Sequence, residues 1–506
     1  MIPYLLKTFR GGISDEANKG VVGSFKHGYG LDIHKRTDSL SCGSTMATVL
    51  GESVGVFGTS SAGSTMTGII NVFLPTSDGS MLAFSERGSI WCVTGDGQWQ
   101  FVHNDPNGSI TGAEEHKDIN GANYIYWATS TAVARKAWPG VTVPPDSGTA
   151  RWSDAVNVYK TENIYTDLNN TNWHSMKKVG GDLMICNLDT LAVYSYTAVF
   201  DPATVQLTPG TVAQCLEERN DFVIIGSNQA SQVEESHIWS WVTTAVNPVQ
   251  KKKIPSKGVN SLIYTELPLL QAGANGEIFF SDFSNAIPIS VIPGGGRVSP
   301  SGTTIESNLA LFGIYGGTAV SYPGIWSYGR KNKNRPFSLN YNYKLASQIG
   351  GSTISTIGAL INFNGITFAS WGTEDSHTST TTNEYGVDCI NSTTSASAIF
   401  ENLEFDAGKT FETKWVDTVK IATVPMAAST SYSVKFKMDK ETDWRYAILP
   451  NNTTTYALTN SIGSEWQLGS PGKIYEVGVE LNPSGGDSPE ILSITSYLND
   501  RGYLHG

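Results

Sequence analysis

The sequence predicts an all-β chain, a β-propeller of about seven blades followed by a small C-terminal β-sandwich. Three observations carry that expectation. Turn-forming and β-preferring residues dominate the composition, one turn-and-strand pattern recurs along most of the chain, and helical spacing of apolar residues is nearly absent.

The composition comes first. Among 506 residues there are 52 Gly, 21 Pro, 13 Trp and 21 Tyr, with long stretches of Ser, Thr and Asn. Glycine and asparagine supply the positive-φ positions that short antiparallel strands need at their turns. Thr, Tyr and Trp suit a pleated, half-buried surface. At about 100–200 residues per domain the length allows two to four units, and two satisfy it because propellers run long.

The recurring pattern is a Gly or Asn turn followed directly by a short apolar strand. It occurs at Gly79 to Phe84, Gly121 to Trp127, Gly181 to Cys186, Asn220 to Ile225, Gly276 to Phe280, Asn308 to Phe312 and Gly365 to Ala369. The matches lie on average about 48 residues apart, close to the 40–50 of propeller blades. An aromatic strand follows in several units: Ile90-Trp91-Cys92-Val93, Val193-Tyr194-Ser195-Tyr196, Ile238-Trp239-Ser240-Trp241 and Ile325-Trp326-Ser327-Tyr328. Stacked blades need a large side chain at a fixed place to fill the wedge between neighbours.

The texture then changes. Phe411 to Ile421, Ser431 to Met438, Lys473 to Leu481 and Ile491 to Tyr497 alternate apolar and polar residues, the pattern of strands with one wet face. The predicted organisation is therefore residues 1–45 as an N-terminal segment belonging to or packed on the propeller, 46–400 as the propeller, and 401–506 as the sandwich. The Ser- and Thr-rich segment from Ser376 to Ser397 reads as a loop of the last blade.

Charge is sparse, with 34 basic against 46 acidic residues and a net charge of −12. That balance argues against specific nucleic-acid binding, which calls for clustered Lys and Arg. Lys251-Lys252-Lys253 and the basic run Arg330 to Arg335 read as solvated loops. Cys42, Cys92, Cys186, Cys215 and Cys389 lack the spacing of a zinc or redox motif and read as free, buried thiols. No signal peptide is read at the N-terminus, and no run is apolar enough to span a membrane, so synthesis in the cytoplasm is expected.

Candidate chemistry is thin, and no catalytic, cofactor-binding or metal-binding residue is predicted. Glu114-Glu115-His116-Lys117-Asp118 offers paired carboxylates for acid–base work but reads as a solvated connection. In Glu234-Glu235-Ser236-His237 only Glu235 and His237 share a strand face and converge as ligands. Gly294-Gly295-Gly296-Arg297 has no helix behind it to present amides to a phosphate and reads as a loop. The Asp-containing turn of sialidase propellers is approached only by Ser77-Asp78-Gly79.

Phe9 to Glu16 and Gly23 to Lys35, with Trp415 to Phe436 and Ile491 to Tyr497, resemble the opening and the closing sandwich of tail-associated β-propeller proteins of tailed bacteriophages. The resemblance implies a virion structural protein of the tail or tail tip. Its partners would be other tail proteins and further copies of itself in a homo-oligomeric ring, with no cofactor. A host receptor- or carbohydrate-binding role in host attachment stays open, and so does a propeller-type glycan hydrolase.

Overall fold

The computed structural model describes residues 2–14, 23–34, 38–51, 66, 68–93, 99–105, 107–138, 162–166, 168–169, 173–229, 236–316, 323–331, 333–345, 354–373, 385–406 and 411–499. Seven of the four-stranded antiparallel sheets within them form the ring, each with its strands in sequential spatial order except at the closing position. Blade 1 is Ile70–Pro75, Met81–Ser85, Ser89–Val93 and Trp99–Asn104, and blade 2 is Gly112–Lys117, Asn123–Ala128, Val133–Ala137 and Glu162–Tyr165. Blade 3 is Met176–Val179, Asp182–Asn187, Thr190–Tyr194 and Phe200–Gln206, and blade 4 is Thr211–Arg219, Phe222–Gln229, Ser236–Val242 and Gln250–Ile254. Blade 5 is Val259–Tyr264, Pro268–Ala272, Glu277–Ser281 and Ala286–Val291, and blade 6 is Thr303–Glu306, Leu309–Ile314, Gly324–Gly329 and Ser338–Tyr343. Blade 7 takes Ile354–Phe363, Ile366–Thr373 and Tyr385–Ser395 from late in the chain and its outer strand, Ser44–Gly51, from the beginning.

The ring closes on its packing. Each pair of neighbouring blades shares a buried apolar cluster, and the last of these joins Leu50, Ala359 and Val387 of blade 7 to Ile70, Met81 and Trp91 of blade 1. Most wedges are filled by an aromatic that a blade turns toward its predecessor. Trp91, Trp127, Tyr194, Trp239, Trp326 and Trp371 do so for blades 1, 2, 3, 4, 6 and 7, and Phe279 serves blade 5. The aromatic strands read from the sequence are thus the third strands of their blades. Of the turn-and-strand matches, Gly276 alone falls elsewhere, on the third strand of blade 5 instead of the second. The second strand, Pro268–Ala272, follows a Glu266-Leu267 turn that carries no Gly or Asn.

The C-terminal unit is two antiparallel sheets facing each other. One comprises Ile2–Leu6, Ile491–Asn499, Lys414–Thr423 and Gly463–Gly472; the other comprises Arg445–Tyr446, Ser431–Met438, Tyr475–Asn482, Ala398–Glu401 and His27–Tyr29. Val419, Ile421, Trp466 and Ile494 of the first sheet meet Tyr432, Val434, Val477 and Val479 of the second in one core.

The expected boundaries need correction here. Residues 1–45 only partly lie on the propeller: Gly12–Ile13 packs against the outer strand of blade 6, while Ile2–Leu6 and His27–Tyr29 are sandwich strands. The propeller begins at Ser44, and the sandwich takes its first late strand from Ala398. Cys42, Cys92, Cys186 and Cys215 are buried free thiols, and Cys389 is half-buried.

Candidate interaction surface

The first strands of all seven blades run in the same direction around a central passage of about 320 Å³. Its wall includes Glu114 of blade 2, Lys177 of blade 3 and Glu217 of blade 4. Lys177 Nζ lies 3.3 Å from Glu217 Oε1. Burial pushes the Glu114 carboxyl up to about 7, against the pull of Lys177 and Lys178.

The polar run around Glu114 is therefore an inner strand with a short turn at its end, not a solvated connection, and each member has its own task. Period-2 alternation turns Glu115 toward blade 1, where its carboxylate accepts from the Ser77 N–H at 2.6 Å and the Ser77 hydroxyl at 2.5 Å. His116 is buried against Tyr126 and Tyr194 on the other side, and burial lowers its pKa. Asp118 closes the hairpin by accepting from the amides of Asn120 and Ala122, each at 2.9 Å. A carboxyl that exchanges a proton near neutrality suits acid–base work. Its neighbour Glu217 is committed to Lys177, and Glu115 faces away, so among the described residues the passage does not assemble a carboxylate pair.

The other motifs fall as follows. Glu234 and Glu235 lie outside the described residues, and His237 sits beside Trp239 at the start of the third strand of blade 4. Lys251 to Lys253 form an outer strand and not a loop: Lys251 donates to Thr208 Oγ1 at 2.9 Å and covers the Trp239 ring at 4.5 Å. Lysines along an exposed strand blunt edge-to-edge pairing. Gly294 to Gly296 form a positive-φ turn, as expected, with the Gly276 amide donating to Gly296 O. Of the Ser376 to Ser397 segment, residues 376–384 lie outside the described residues; the remainder supplies the third strand of blade 7 and leads toward the sandwich. Among the described residues no group of three His, Cys, Asp or Glu side chains is placed to hold a metal ion.

A different surface stands out. In a four-stranded meander the turns between strands one and two and between strands three and four lie on the same face of the ring. On that face Ile119 of blade 2, Tyr196 and Val199 of blade 3, Phe222 and Val246 of blade 4, Leu267 of blade 5, Ile305 of blade 6 and Ile366 of blade 7 are exposed. Their fractional exposures run from 40% at Phe222 and Leu267 to 82% at Val246. Single exposed apolar residues are ordinary. Six consecutive blades offering them at one face are not a scatter. The signal was in the sequence, since Phe222 and Ile366 directly follow the Asn-Asp and Gly turns of the repeat.

No family model matches the chain, and no curated protein matches it. Among solved structures, the chain is similar to the WD40 β-propeller domain of Doa1, with 10% identity, a TM-score of 0.42, and coverage of 68% of this chain and 97% of that one. It is also similar to the C-terminal WD40 domain of Sif2, with 13% identity, a TM-score of 0.41, and coverage of 64% and 81%. The ring itself is established by its own strand order.

Proposed function

We propose that this chain is a structural protein of a bacteriophage tail or tail tip, a rigid ring that holds other tail proteins against its turn-bearing face. The observation that carries the docking role is the run of exposed apolar side chains on blades 2 to 7. Apolar area on a rigid, preformed face drives association at little entropic cost. The tail assignment rests on the resemblance of the N-terminal and C-terminal segments to tail-associated propeller proteins.

The propeller closes six of its blades with consecutive strands and the seventh with the distant Ser44–Gly51 strand, which suits a part that must hold its shape under load. Self-association into a symmetric ring belongs to the same reading. Immunogold labelling of virions with an antibody against the chain tests the assignment. Label on the tail, with particles lacking tails when the gene is deleted, is the expected result; unlabelled particles with intact tails in the deletion would overturn it. Phe222→Asp combined with Leu267→Asp is expected to leave the ring folded and to abolish its incorporation into particles.

A further inference from the structure

A cavity of about 400 Å³ opens on the turn-bearing face between blades 5 and 6. Its floor is aromatic. Tyr328 and Phe337 stack with centroids 5.8 Å apart and planes 22° apart, and Phe280 meets both edge-on at 6.1 and 6.3 Å. One wall is an organised charged pair: the Arg330 guanidinium lies over the Phe337 ring at 4.6 Å and donates to Glu266 Oε1 at 3.3 Å. Glu266 remains 71% exposed, and Asn308 and Lys333 complete the rim. The Tyr328 hydroxyl makes no hydrogen bond to a described residue, and burial pushes its pKa up to about 12, so it is held as a neutral donor.

We propose that this cavity is a carbohydrate-binding site for a pyranose unit of a surface glycan. A sugar ring presents a flat C–H face that packs on aromatic rings, and hydroxyls that each donate and accept at its edge. The cavity supplies both halves of that description. Glu266 accepts, Arg330 and Lys333 donate, and Asn308 does either. An apolar anchor from a partner protein would match the floor alone and would strip water from the Glu266–Arg330 pair and the Tyr328 hydroxyl without returning a hydrogen bond. A flat glycan edge satisfies them. With two cations against one carboxylate at the rim, a uronic acid is preferred over the matching neutral hexose.

The test uses the purified full chain and is independent of the tail assignment, which it neither needs nor decides. Saturation-transfer NMR with glucose, galactose, N-acetylglucosamine and glucuronic acid, and with disaccharides of each, is expected to show saturable binding, with transfer concentrated on ring C–H protons and glucuronic acid the tightest. Tyr328→Ala is expected to weaken binding by at least about tenfold, and Glu266→Ala severalfold. Phe411→Ala, an exposed aromatic of the C-terminal unit, leaves binding unchanged. Glu266 lies at the surface, so its variant keeps the test valid if Tyr328→Ala fails to fold. No saturable binding to any of these sugars, binding indifferent to both cavity variants, or saturable binding of an aromatic peptide in their place would overturn the proposal.

Discussion

The closing strand of blade 7 gives the sharpest perturbation. Asp388 is fully buried, and its Oδ1 accepts from the Trp371 indole N–H at 2.8 Å and from the Thr48 hydroxyl at 2.8 Å. Thr48 belongs to Ser44–Gly51, among the described residues the only strand of the ring contributed from before blade 1, so this carboxylate clasps the early strand to the late ones. In Asp388→Ala both donors lose their acceptor inside the protein, at about 1–3 kcal/mol each, partly offset because a charge need no longer be buried. The expected net loss is about 3 kcal/mol, which corresponds to roughly hundredfold faster amide exchange if the strand opens locally. Asp388→Asn keeps an acceptor oxygen and is expected to lose about 1 kcal/mol. Hydrogen exchange followed by mass spectrometry reads the outcome segment by segment, with faster exchange expected in Ser44–Gly51 and Tyr385–Ser395 and little change in blade 3. Unchanged protection of the closing strand, or equal speeding in every blade, would refute the clasp.

Other consequences follow from burial and charge. Trp326 is 1% exposed between blades 5 and 6, and Trp326→Ala is expected to cost about 3–5 kcal/mol, read as a lower denaturation midpoint in urea. Two carboxyls give opposite pH dependences. At Glu401, burial that raises the pKa is outweighed by hydrogen bonds from His27 and Lys435, and the folded pKa falls to about 2. Its contribution is full above the ordinary value of 4.5 and is lost as pH falls toward 2. Glu114 is raised from the same ordinary value to about 7, so the folded chain binds the extra proton and stability declines as pH rises across that interval. Glu114→Gln should remove the decline, and Glu401→Gln should remove the acid loss. Midpoints measured from pH 3 to pH 8 check both.

What the sequence revealed follows from what each strand buries. Second and third strands are sealed on both faces by neighbouring blades, so Met81–Ser85 and Gly324–Gly329 read as apolar runs behind a turn. The inner strand of blade 2 is different because it borders the passage and carries polar contacts between blades: Gly112–Lys117, with the sequence GAEEHK, shows no apolar alternation. The outer strand of blade 4 is largely solvated, and Gln250–Ile254 with its three lysines passes for a loop by composition. The aromatic cavity was beyond reach for another reason. Tyr264, Phe280, Tyr328 and Phe337 are spread over four strands and connections of two blades, and only the register of those blades brings them to one place. Tyr328 was visible as part of a repeated aromatic strand, but nothing local marks it as half-buried where its counterparts Val93 and Trp241 are sealed.

The threading of the N-terminal segment makes the two units interdependent. Ile2 pairs with Leu498 and Leu6 with Ile494, so the edge of one sandwich sheet is completed by the first residues of the chain. Tyr29 pairs with Ile399 in the other sheet, and Phe9 and Phe25 pack on Phe400 at 5.3 and 5.4 Å. A fragment of residues 398–499 therefore lacks an outer strand in each sheet and leaves Phe400 uncovered. Such a fragment is expected to give a poorly dispersed amide spectrum and to bind a dye specific for exposed apolar surface. Supplying residues 1–34 through a flexible linker to its N-terminus should restore dispersion, because each missing strand is then available at high effective concentration. A well-dispersed spectrum from the bare fragment would show that the borrowed strands are ornament to the sandwich. The expected failure, with recovery on adding residues 1–34, would instead mean that the sandwich forms only once residues at opposite ends of the chain have met.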